Sequence, residues 1–339
     1  MLINIFLNIN PGPYGGGNQF LKALRDYFKT QNVWSENPKE ADVILFNSHH
    51  QIKELIKLKR TYPNKLFIHR IDGPVYLIRK DTLFLDKLIY RFNNRLADAT
   101  IFQSDWSKLH NRTLGLKTNA FETTIINAPD PEIFNAKDKP VFDINRKIKI
   151  IATSWATNKS KGFETYRYLD ESLDFSKYEM TFCGNSPLKF KNINHIQSVP
   201  STELAGILKA HDIYITASEN DPCSNSLIEA LHCGLPAIAV NNGGHPEIIK
   251  NAGLIYNDKT QIQDCLINIA NNYKEFQDHI RLPLLNEIGD RYLSFITSVY
   301  NNKKKGMESK KMTGMKAVNL YISIFIQKAA HRIYGFFHR

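Results

Sequence analysis

Two acidic residues lie eight positions apart in the stretch DPCSNSLIEALHCGLPAI, which runs from Asp221 to Ile238. Asp221 precedes a Cys-Ser-Asn-Ser turn, and Glu229 falls one turn inside the helix that this turn begins. Ser224 or Asn225 is a suitable N-cap, so the first turn of this helix offers backbone N–H groups to an anion. Carboxylates accept hydrogen bonds from hydroxyls, and a vicinal diol offers two. The order of acid, anion site and acid predicts a site for a sugar, a diphosphate and a ribose.

Glycines mark a second candidate site in NPGPYGGGNQFLKAL, residues 10–24. Gly15, Gly16 and Gly17 stand between a predicted strand and a predicted helix. Glycine lets a ligand approach the backbone closely, and a helix N-terminus favours an anion. The spacing does not match Gly-x-Gly-x-x-Gly, the dinucleotide fingerprint. We therefore expect a ligand-facing loop here, with a plain flexible turn as the alternative.

A third candidate site follows a predicted strand in the stretch HRIDGPVYL. His69, Arg70 and Asp72 stand at the carboxyl end of this strand, where parallel sheets bind their ligands. Asp72 is suited to bind or deprotonate an acceptor hydroxyl, and Arg70 is suited to pair with it. A buried structural histidine is the alternative interpretation of His69.

The elements that position these residues are read from hydrophobic periodicity. Short apolar runs alternate with helical patterns, which predicts an α/β fold of parallel sheets with helices on both faces. The alternation lapses over residues 129–146 and then resumes, which indicates two doubly wound units in tandem that face a cleft. The predicted strands are Leu2–Asn8, Val43–Asn47, Leu66–Arg70, Thr100–Gln103, Thr123–Ile126, Ile148–Thr153, Glu179–Cys183, Ile213–Thr216, Ala237–Val240 and Leu254–Tyr256.

The periodicity predicts four segments. They are an N-terminal domain at 1–140, a second domain at 146–280, a helix at 281–300, and a basic linker and tail helix at 301–339.

Composition indicates a globular protein and restricts its partners. The chain has 339 residues, of which 42% are hydrophobic and 23% charged. Residues 301–339 hold nine Lys or Arg and one Glu, so they carry +8 of the net charge of +11. A nearly neutral body argues against a nucleic-acid groove. The four cysteines lack metal-ligand spacing and are expected to be reduced thiols in the cytoplasm. The first residues lack the basic segment of a secretory signal.

The stretch SENDPCSNSLIEALHCGLPAIAVNNGGHPEII resembles the donor-site signature of retaining glycosyltransferases of the GT-B fold, family four. The family pattern is Glu, seven residues, and a second Glu followed by Ala and a small residue-Gly-x-Pro. Asp221 stands at the first acidic position and Glu229 at the second, and Asn242-Gly243-Gly244 matches the family's Gly-Gly turn. The resemblance covers roughly residues 1–300. It implies two tandem Rossmann-like domains, the first for the acceptor and the second for a nucleotide-sugar donor. It also implies that the helix at 281–300 crosses back to the first domain.

The resemblance also implies residue roles. In the family, an Arg and a Lys after the first strand of the second domain neutralise the donor diphosphate. In ATSWATNKSKGFETY, Lys161 matches the Lys, and Lys159 stands in for the Arg without its bidentate fork. A family His approaches the transferred sugar, which points to His69. The implied catalytic residues are His69, Asp72 and Lys161, with Arg70 and Asp72 on the acceptor side. The implied donor-binding residues are Gly15, Gly16, Gly17, Lys159, Lys161, Asp221, Cys223, Ser224, Asn225, Ser226 and Glu229.

No metal or cofactor is expected, and the donor itself is a substrate. The nearest approach to a metal-binding Asp-x-Asp is Asp130-Pro131-Glu132, which we expect to be a turn.

The tail is predicted to form a basic amphipathic helix, Lys316–Phe337. Its charge-free run Ala317–Gln327 is too short to span a bilayer. We expect residues 316–339 to lie on an anionic membrane surface, and packing on the protein itself is the alternative. The apolar positions at helical spacing are Val318, Tyr321, Ile322, Phe325, Ala329, Ile333 and Phe336, flanked by Lys316, Lys328, Arg332 and Arg339.

These features predict a retaining, metal-independent hexosyltransferase. It would move a hexose from a nucleotide-diphosphate sugar to a glycan or lipid-linked glycan in surface polysaccharide or glycoconjugate biosynthesis. We expect a monomer, cytoplasmic and peripheral at the inner face of the membrane, without a nucleic-acid partner. One alternative is a sugar-nucleotide epimerase of the same shape, which needs no acceptor. The other is a catalytically silent nucleotide-sugar- or glycan-binding subunit of a polysaccharide assembly complex, favoured by Asp221 and the missing Arg.

Overall fold

The computed structural model describes residues 1–9, 16–80 and 82–337, with side chains described as far as residue 326 in the last helix. Contacts within the chain divide it into two compact units. Unit 1 comprises Met1–Asn8, Arg25–Ile126 and Gly289–Arg339, and unit 2 comprises Ile9–Leu24 and Asn127–Ile288.

The segment 129–146, where the predicted alternation lapses, belongs to unit 2. Asn127 Nδ2 donates a hydrogen bond to Asn225 Oδ1, and Lys139 Nζ donates one to the carbonyl of His211. The chain therefore changes unit at residues 126 and 127, before the predicted boundary near residue 140. The Pro- and Lys-rich composition of this segment does not reveal these long-range contacts.

Unit 1 contains a five-stranded parallel sheet in the order β1-β2-β3-β4-β5. Ile3 pairs with β2 on one side and forms a parallel bridge with Trp34 on the other, so the winding direction reverses at β1. The strands are β1 (Ile3–Phe6), β2 (Val43–Asn47), β3 (Leu66–Ile71), β4 (Ala99–Phe102) and β5 (Glu122–Thr124). The helices that connect them are α1 (Gly16–Thr30), α2 (Ile52–Thr61), α3 (Val75–Ile78), α4 (Leu83–Leu96) and α5 (Asp105–Thr113), and the residues of α1 up to Leu24 belong to unit 2.

Unit 2 contains a six-stranded parallel sheet, formed by β6 (Ile148–Ser154), β7 (Tyr178–Gly184), β8 (Asn194–Ile196), β9 (Ile213–Thr216), β10 (Ala237–Val240) and β11 (Gly253–Tyr256). The strand order is β11-β10-β9-β6-β7-β8, so β6 and β9 flank the point where the winding reverses. The connecting helices are α6 (Phe163–Ser172), α7 (Ser201–Lys209), α8 (Asn225–His232), α9 (His245–Ile249), α10 (Ile262–Asn271) and α11 (Tyr273–Asp278), with 3-10 turns at Lys159–Lys161 and Lys259–Gln261.

The predicted α/β class with doubly wound parallel sheets is confirmed. The elements that the sequence pattern did not name are mostly short, such as α3 in unit 1 and β8 in unit 2. The edge strand β8 is an example, because it has three residues and a single aliphatic one, too few to give an apolar run.

The helix α12 (Leu285–Lys304) belongs to unit 1 from Gly289 onward. Tyr292, Ile296 and Val299 are fully buried along one face of this helix. Tyr292 Oη also accepts a hydrogen bond from Arg70 Nε at 3.2 Å. The C-terminal part of α12 is thus held by both apolar and polar contacts to unit 1.

The last helix, α13 (Gly314–Phe337), packs on unit 1 through one face. Its residues Ala317, Leu320 and Ile324 are buried in an apolar cluster with Phe46 and Leu88. The preceding segment, which we predicted to be a linker, is also packed. Met312 is buried in the same cluster, and the Lys310 N–H donates to Asp98 Oδ1 at 2.9 Å. Among the residues that the structure describes, no helix combines the length and apolar character needed to cross a membrane.

Candidate functional site

A pocket of about 250 Å³ lies at the carboxyl end of the unit 2 sheet. It opens beside the loops that follow β6 and β9, at the point where the winding of the sheet reverses. This is the position where open α/β sheets bind their ligands. Six residues that the sequence assigned to a ligand line the pocket: Gly16, Lys161, Asp221, Asn225, Ser226 and Glu229.

Backbone contacts hold the loops after β6 and β9 together. Gly162 has φ of 70°, and a Cβ at this position would lie 2.1 Å from the carbonyl oxygen of Ala217. Glycine is therefore required here, because the left-handed backbone and the close approach both exclude a side chain. The N–H of Glu219 also donates to the Ser160 carbonyl at 2.7 Å. These contacts fix the position of Lys161, which immediately precedes Gly162.

Lys161 and Asp221 form an ion pair at the pocket wall, with Nζ 3.5 Å from Oδ2. The other carboxylate oxygen of Asp221 accepts a hydrogen bond from the Cys223 N–H at 3.2 Å. The Asp221 carbonyl accepts from the Gly244 N–H at 2.9 Å, and Gly243 has φ of 63° in the same turn. Asp221 is therefore fixed by its own loop and by the Gly-Gly turn, which leaves its carboxylate directed at Lys161.

The N-terminus of α8 has no side-chain cap. Ser224 occupies the N-cap position, but it makes no capping hydrogen bond, and its Oγ lies 3.3 Å from Ser226 Oγ. This differs from the predicted cap. Because the N–H groups of the first turn receive no side-chain acceptor, this end of the helix keeps its partial positive charge. Asn225 and Ser226 line the pocket, so the charge is available to an anion bound there.

Glu229 is half-buried, one turn further along α8. Burial raises the pKa of its carboxyl group to about 8. At neutral pH the unliganded site therefore favours a protonated Glu229, which both donates and accepts hydrogen bonds. Such a group is suited to a ligand that carries neutral hydroxyls.

Four donor-site predictions are not matched by the pocket. Ser224, the buried N-cap of α8, does not line the pocket. Lys159 is exposed and does not line it. Cys223 is buried, and its Sγ accepts a hydrogen bond from the Asn127 N–H at 3.5 Å. The thiol therefore supports the loop and does not line the pocket. Gly17 is exposed outside the pocket lining, and Gly15 lies outside the described residues.

The structure corrects the prediction that His69 contacts a ligand. The side chain is fully buried and stacks on Phe46, with ring centroids 4.3 Å apart. His69 Nε2 donates to the Ser48 carbonyl at 2.8 Å, and Nδ1 accepts from Asn93 Nδ2 at 3.3 Å. Both ring nitrogens are therefore occupied, and burial lowers the pKa of His69 to about 3. His69 is therefore a neutral internal support, in a strand whose six residues are all buried.

Arg70 and Asp72 do come together in unit 1. Arg70 is buried, and its Nη1 lies 3.1 Å from Asp72 Oδ1 and 2.6 Å from Asn47 Oδ1. Asp72 also accepts hydrogen bonds from Asn47 Nδ2 and Gln103 Nε2. Its side chain is 37% exposed, so it remains accessible to a ligand. The pairing that the sequence suggested for these two residues is present.

Sequence reasoning missed His49 and His50. Their rings stack at 5.1 Å in the turn after β2, between Ser48 and Gln51, whose φ angles are 47° and 51°. Burial lowers the pKa of His49, the neighbouring His50 lowers it further, and the Asp72 carboxylate opposes this effect. The signal was the stretch NSHHQ directly after a predicted strand. His69 supports this turn through the Ser48 carbonyl.

Sequence reasoning also missed the opposite wall of the pocket in unit 2. Trp155, Gly184, Ser198 and Leu204 line it. Trp155 stood inside the quoted loop after β6, where an aromatic residue at a strand end is a usable signal. The other three come from different loops, which only the fold brings together.

The acidic residues near the chain's change of unit form a turn, as expected. Asp130 Oδ1 accepts from the Glu132 N–H at 3.0 Å, and the Asp130 carbonyl accepts from Phe134 N–H at 2.9 Å. Within the described ranges, no group of three His, Cys, Asp or Glu side chains is placed to hold a metal ion.

Comparison with known proteins supports the interpretation of unit 2. Residues 177–293 match the family described as Glycosyl transferases group 1. Over 74 residues the chain is 31% identical to the phosphatidylinositol N-acetylglucosaminyltransferase GPI3 subunit of Saccharomyces cerevisiae (strain YJM789). That alignment covers 22% of this chain and 16% of the relative, so the chain spans only a small part of the curated relative's length.

Solved structures resemble the whole fold. The sucrose-phosphate synthase of Thermosynechococcus elongatus has a TM-score of 0.62 and 13% identity, over 90% of this chain and 98% of its own. Anabaena HepE in complex with UDP-glucose has a TM-score of 0.61 and 11% identity, over 90% and 98% of the two chains. The chain thus has the GT-B fold of these proteins, and its segment 177–293 matches the glycosyl transferases group 1 family, as the donor-site signature indicated.

Proposed function

We propose that this protein is a retaining, metal-independent hexosyltransferase that uses a nucleotide-diphosphate sugar as donor. The observation that carries the proposal is the arrangement of Lys161, Asp221 and Glu229 around the uncapped N-terminus of α8. A cation and a helix terminus lie between two carboxyl groups at the switch point of a parallel sheet. This is the order of groups that a ribose, a diphosphate and a hexose require.

The diphosphate is the leaving group, so the activation barrier depends on how well the protein stabilises the negative charge that forms on it. When the bond from the sugar C1 to the diphosphate oxygen breaks, the electron pair and the negative charge pass to the diphosphate. Lys161 and the first-turn N–H groups of α8 stabilise this charge as it develops. The acceptor oxygen forms the new bond to C1 on the same face, and its proton passes to the departing phosphate oxygen. Such a reaction requires no protein nucleophile and no metal.

The two acids hold the groups on either side of the diphosphate. Protonated Glu229 donates one hydrogen bond and accepts another, which matches the two hydroxyls of a ribose. Asp221 faces the hexose, and its short side chain distinguishes it from the Glu that occupies this position in the family. The pocket wall that holds Val199 and Leu204 offers apolar surface to a nucleobase.

The relatives support the substrate class. HepE has been crystallised with UDP-glucose, and the GPI3 subunit is named as a phosphatidylinositol N-acetylglucosaminyltransferase. We therefore propose a glycan or lipid-linked glycan acceptor, bound on the unit 1 side by Asp72 with Arg70 as its partner. We place the reaction in surface polysaccharide or glycoconjugate biosynthesis, carried out by a monomer in the cytoplasm, peripheral at the inner face of the membrane.

The first test is a thermal-shift panel of UDP-, GDP- and ADP-sugars. A ligand at about 100 times its Kd stabilises the folded state by about 2.7 kcal/mol. The nucleotide sugars that carry the preferred base should therefore raise Tm clearly more than the other nucleotide sugars do. Glu229→Ala should remove that shift, whereas Glu171→Ala, an exposed acid on α6, should not. If no nucleotide sugar stabilises the protein, the proposed donor site is wrong.

Product analysis separates transfer from the two alternatives. An epimerase converts the nucleotide sugar without an acceptor, and a silent subunit binds it without turnover. Slow release of free hexose with the nucleoside diphosphate, in the absence of acceptor, supports a transferase. An altered nucleotide sugar would support the epimerase instead.

A further inference from the structure

The helix α13 presents an apolar stripe to solvent on the side opposite its packed face. Met315, Val318, Ile322, Phe325 and Ile326 are each at least half exposed. They follow one another at spacings of three and four residues, so they form a single stripe along the helix. In the sequence the same spacing continues beyond residue 326. Large apolar side chains that are contiguous and exposed mark an interaction surface.

The opposite face of α13 fixes the helix to unit 1. Ala317, Leu320 and Ile324 are buried in the apolar cluster of unit 1, and Tyr321 packs partly against it. A helix that is apolar on all sides is normally covered on all sides. Here unit 1 covers one face, and within residues 314–326 the other face is left to solvent. The exposed stripe is therefore held in place and does not belong to a loose tail.

Basic side chains border this stripe. Lys316 is exposed in the first turn of α13, and the sequence of this helix contains no Asp or Glu. The neighbouring helix α4 contributes Lys87 and Arg91, which are exposed and one turn apart. Arg91 Nη1 donates to Ser323 Oγ at 2.8 Å, which places it directly beside the stripe. Lys311 is exposed just before α13 begins.

We propose that this face of unit 1, formed by the exposed stripe of α13 and by Lys87, Arg91 and Lys316, docks on an anionic lipid bilayer. An apolar stripe enters the boundary between headgroups and acyl chains, while lysine and arginine bind the anionic headgroups. Charge complementarity selects this occupant over a second copy of the chain, because two such faces would bring like charges together. The packed face of α13 keeps the helix in the plane of the membrane and gives unit 1 one fixed orientation on it.

The proposal rests on the peripheral membrane location proposed above and not on the reaction assigned to unit 2, so the failure of one does not overturn the other. It is tested with the full chain and two kinds of vesicle, phosphatidylcholine alone and phosphatidylcholine with phosphatidylglycerol. The wild-type protein should sediment with the anionic vesicles, and added salt should weaken the binding because it screens the lysines. Neutral vesicles should bind it at least about tenfold more weakly.

The decisive variant is Ile322→Ser with Phe325→Ser, which removes two exposed side chains and leaves the buried face intact. Its partitioning onto anionic vesicles should fall at least about tenfold, equivalent to about 1.4 kcal/mol. The matched control is Leu109→Ser with Ile267→Ser, two equally exposed apolar residues on α5 and α10. The control should bind as the wild type does. Should the first variant lose its fold, Met315→Ser with Val318→Ser tests the same stripe.

Two results would overturn the proposal. One is wild-type protein that stays in the supernatant with both kinds of vesicle. The other is a variant of the stripe that binds as tightly as the Leu109 and Ile267 control. Light scattering after gel filtration completes the test. A dimer that the wild type forms and the Ile322 and Phe325 variant does not form would assign the stripe to self-association.

Discussion

Lys161 Nζ lies 3.5 Å from Asp221 Oδ2, so the cation assigned to the diphosphate is already paired with an acid of the same pocket. Both side chains are mostly buried, at 25% and 20% exposure. A carboxylate beside a diphosphate site repels the anion that Lys161 attracts, and it also holds the lysine in place. We therefore expect Asp221 to weaken the binding of the nucleotide and to strengthen the binding of the sugar.

Asp221→Asn should bind nucleoside diphosphate more tightly than the wild type, by about threefold to tenfold. The substitution removes one negative charge near the diphosphate and releases Lys161, while the amide can still accept from the Cys223 N–H. Sugar transfer should fall by about tenfold or more, because the carboxylate that faces the hexose is lost. Isothermal calorimetry and initial rates measure the two effects. Glu219→Gln is the control, an exposed acid of the same loop outside the pocket. Weaker nucleotide binding in Asp221→Asn would mean that Asp221 acts mainly by positioning Lys161.

Lys161→Ala should weaken nucleoside diphosphate binding by about tenfold or more and lower turnover as well, because negative charge grows on the diphosphate as its bond to the sugar breaks. Lys159→Ala is the matched control on the same 3-10 turn. It removes an exposed lysine that does not line the pocket, and we expect less than about a twofold change by calorimetry. Equal losses in both variants would restore the original assignment of Lys159 to the diphosphate.

Glu229 should make stability depend on pH. Its pKa is about 8 in the folded protein because of burial, compared with the ordinary value of 4.5. Between these values the folded state binds more protons than the unfolded chain, so the free energy of unfolding falls as pH rises. Glu229→Gln cannot lose a proton. Its Tm should exceed that of the wild type by about 2 °C or more near pH 8.5, and the difference should shrink towards pH 5. A difference that is constant with pH would contradict the raised pKa.

His69→Ala should lower the free energy of unfolding by about 2–4 kcal/mol, through the cavity and the unpaired Ser48 carbonyl. Nucleotide binding, which we assign to unit 2, should not change. The folded pKa of about 3 lies below the ordinary 6.5, so the unfolded chain takes up a proton first, and stability is lost as pH falls through this window.

His69→Gln should reduce that loss when urea unfolding is compared near pH 7 and near pH 5. The control is His279→Gln, at an exposed histidine. If His69→Gln kept full stability but lost turnover through kcat, His69 would be catalytic after all.

The two faces of α13 should respond differently to truncation. Leu320→Ala removes a fully buried side chain from the cluster of unit 1 and should cost about 2–4 kcal/mol in urea unfolding. Val318→Ala, two residues earlier on the exposed face, should cost less than about 1 kcal/mol. Similar costs for both would show that α13 is not packed as described.

Part of the site was predictable because its residues are close together in the chain. Asp221, the start of α8 and Glu229 lie within nine residues. Their order in space therefore follows from the loop before α8 and from the first turn of this helix. The α/β class was predictable for a similar reason, since buried parallel strands give apolar runs and surface helices give a repeat near 3.6 residues. These are local properties of the sequence.

The tertiary structure decided which candidates share a site and which are buried. Lys161 and Asp221 are 60 residues apart and meet because β6 and β9 are neighbours, whereas Lys159, two residues from Lys161, does not reach the pocket. His69 and Asp72 belong to one motif, yet the strand places the first in the core and leaves the second accessible. The apolar periodicity of α13 likewise showed a helix but not which of its apolar faces is covered. Burial depends on what the rest of the chain packs against each position, and that is not a property of the local sequence.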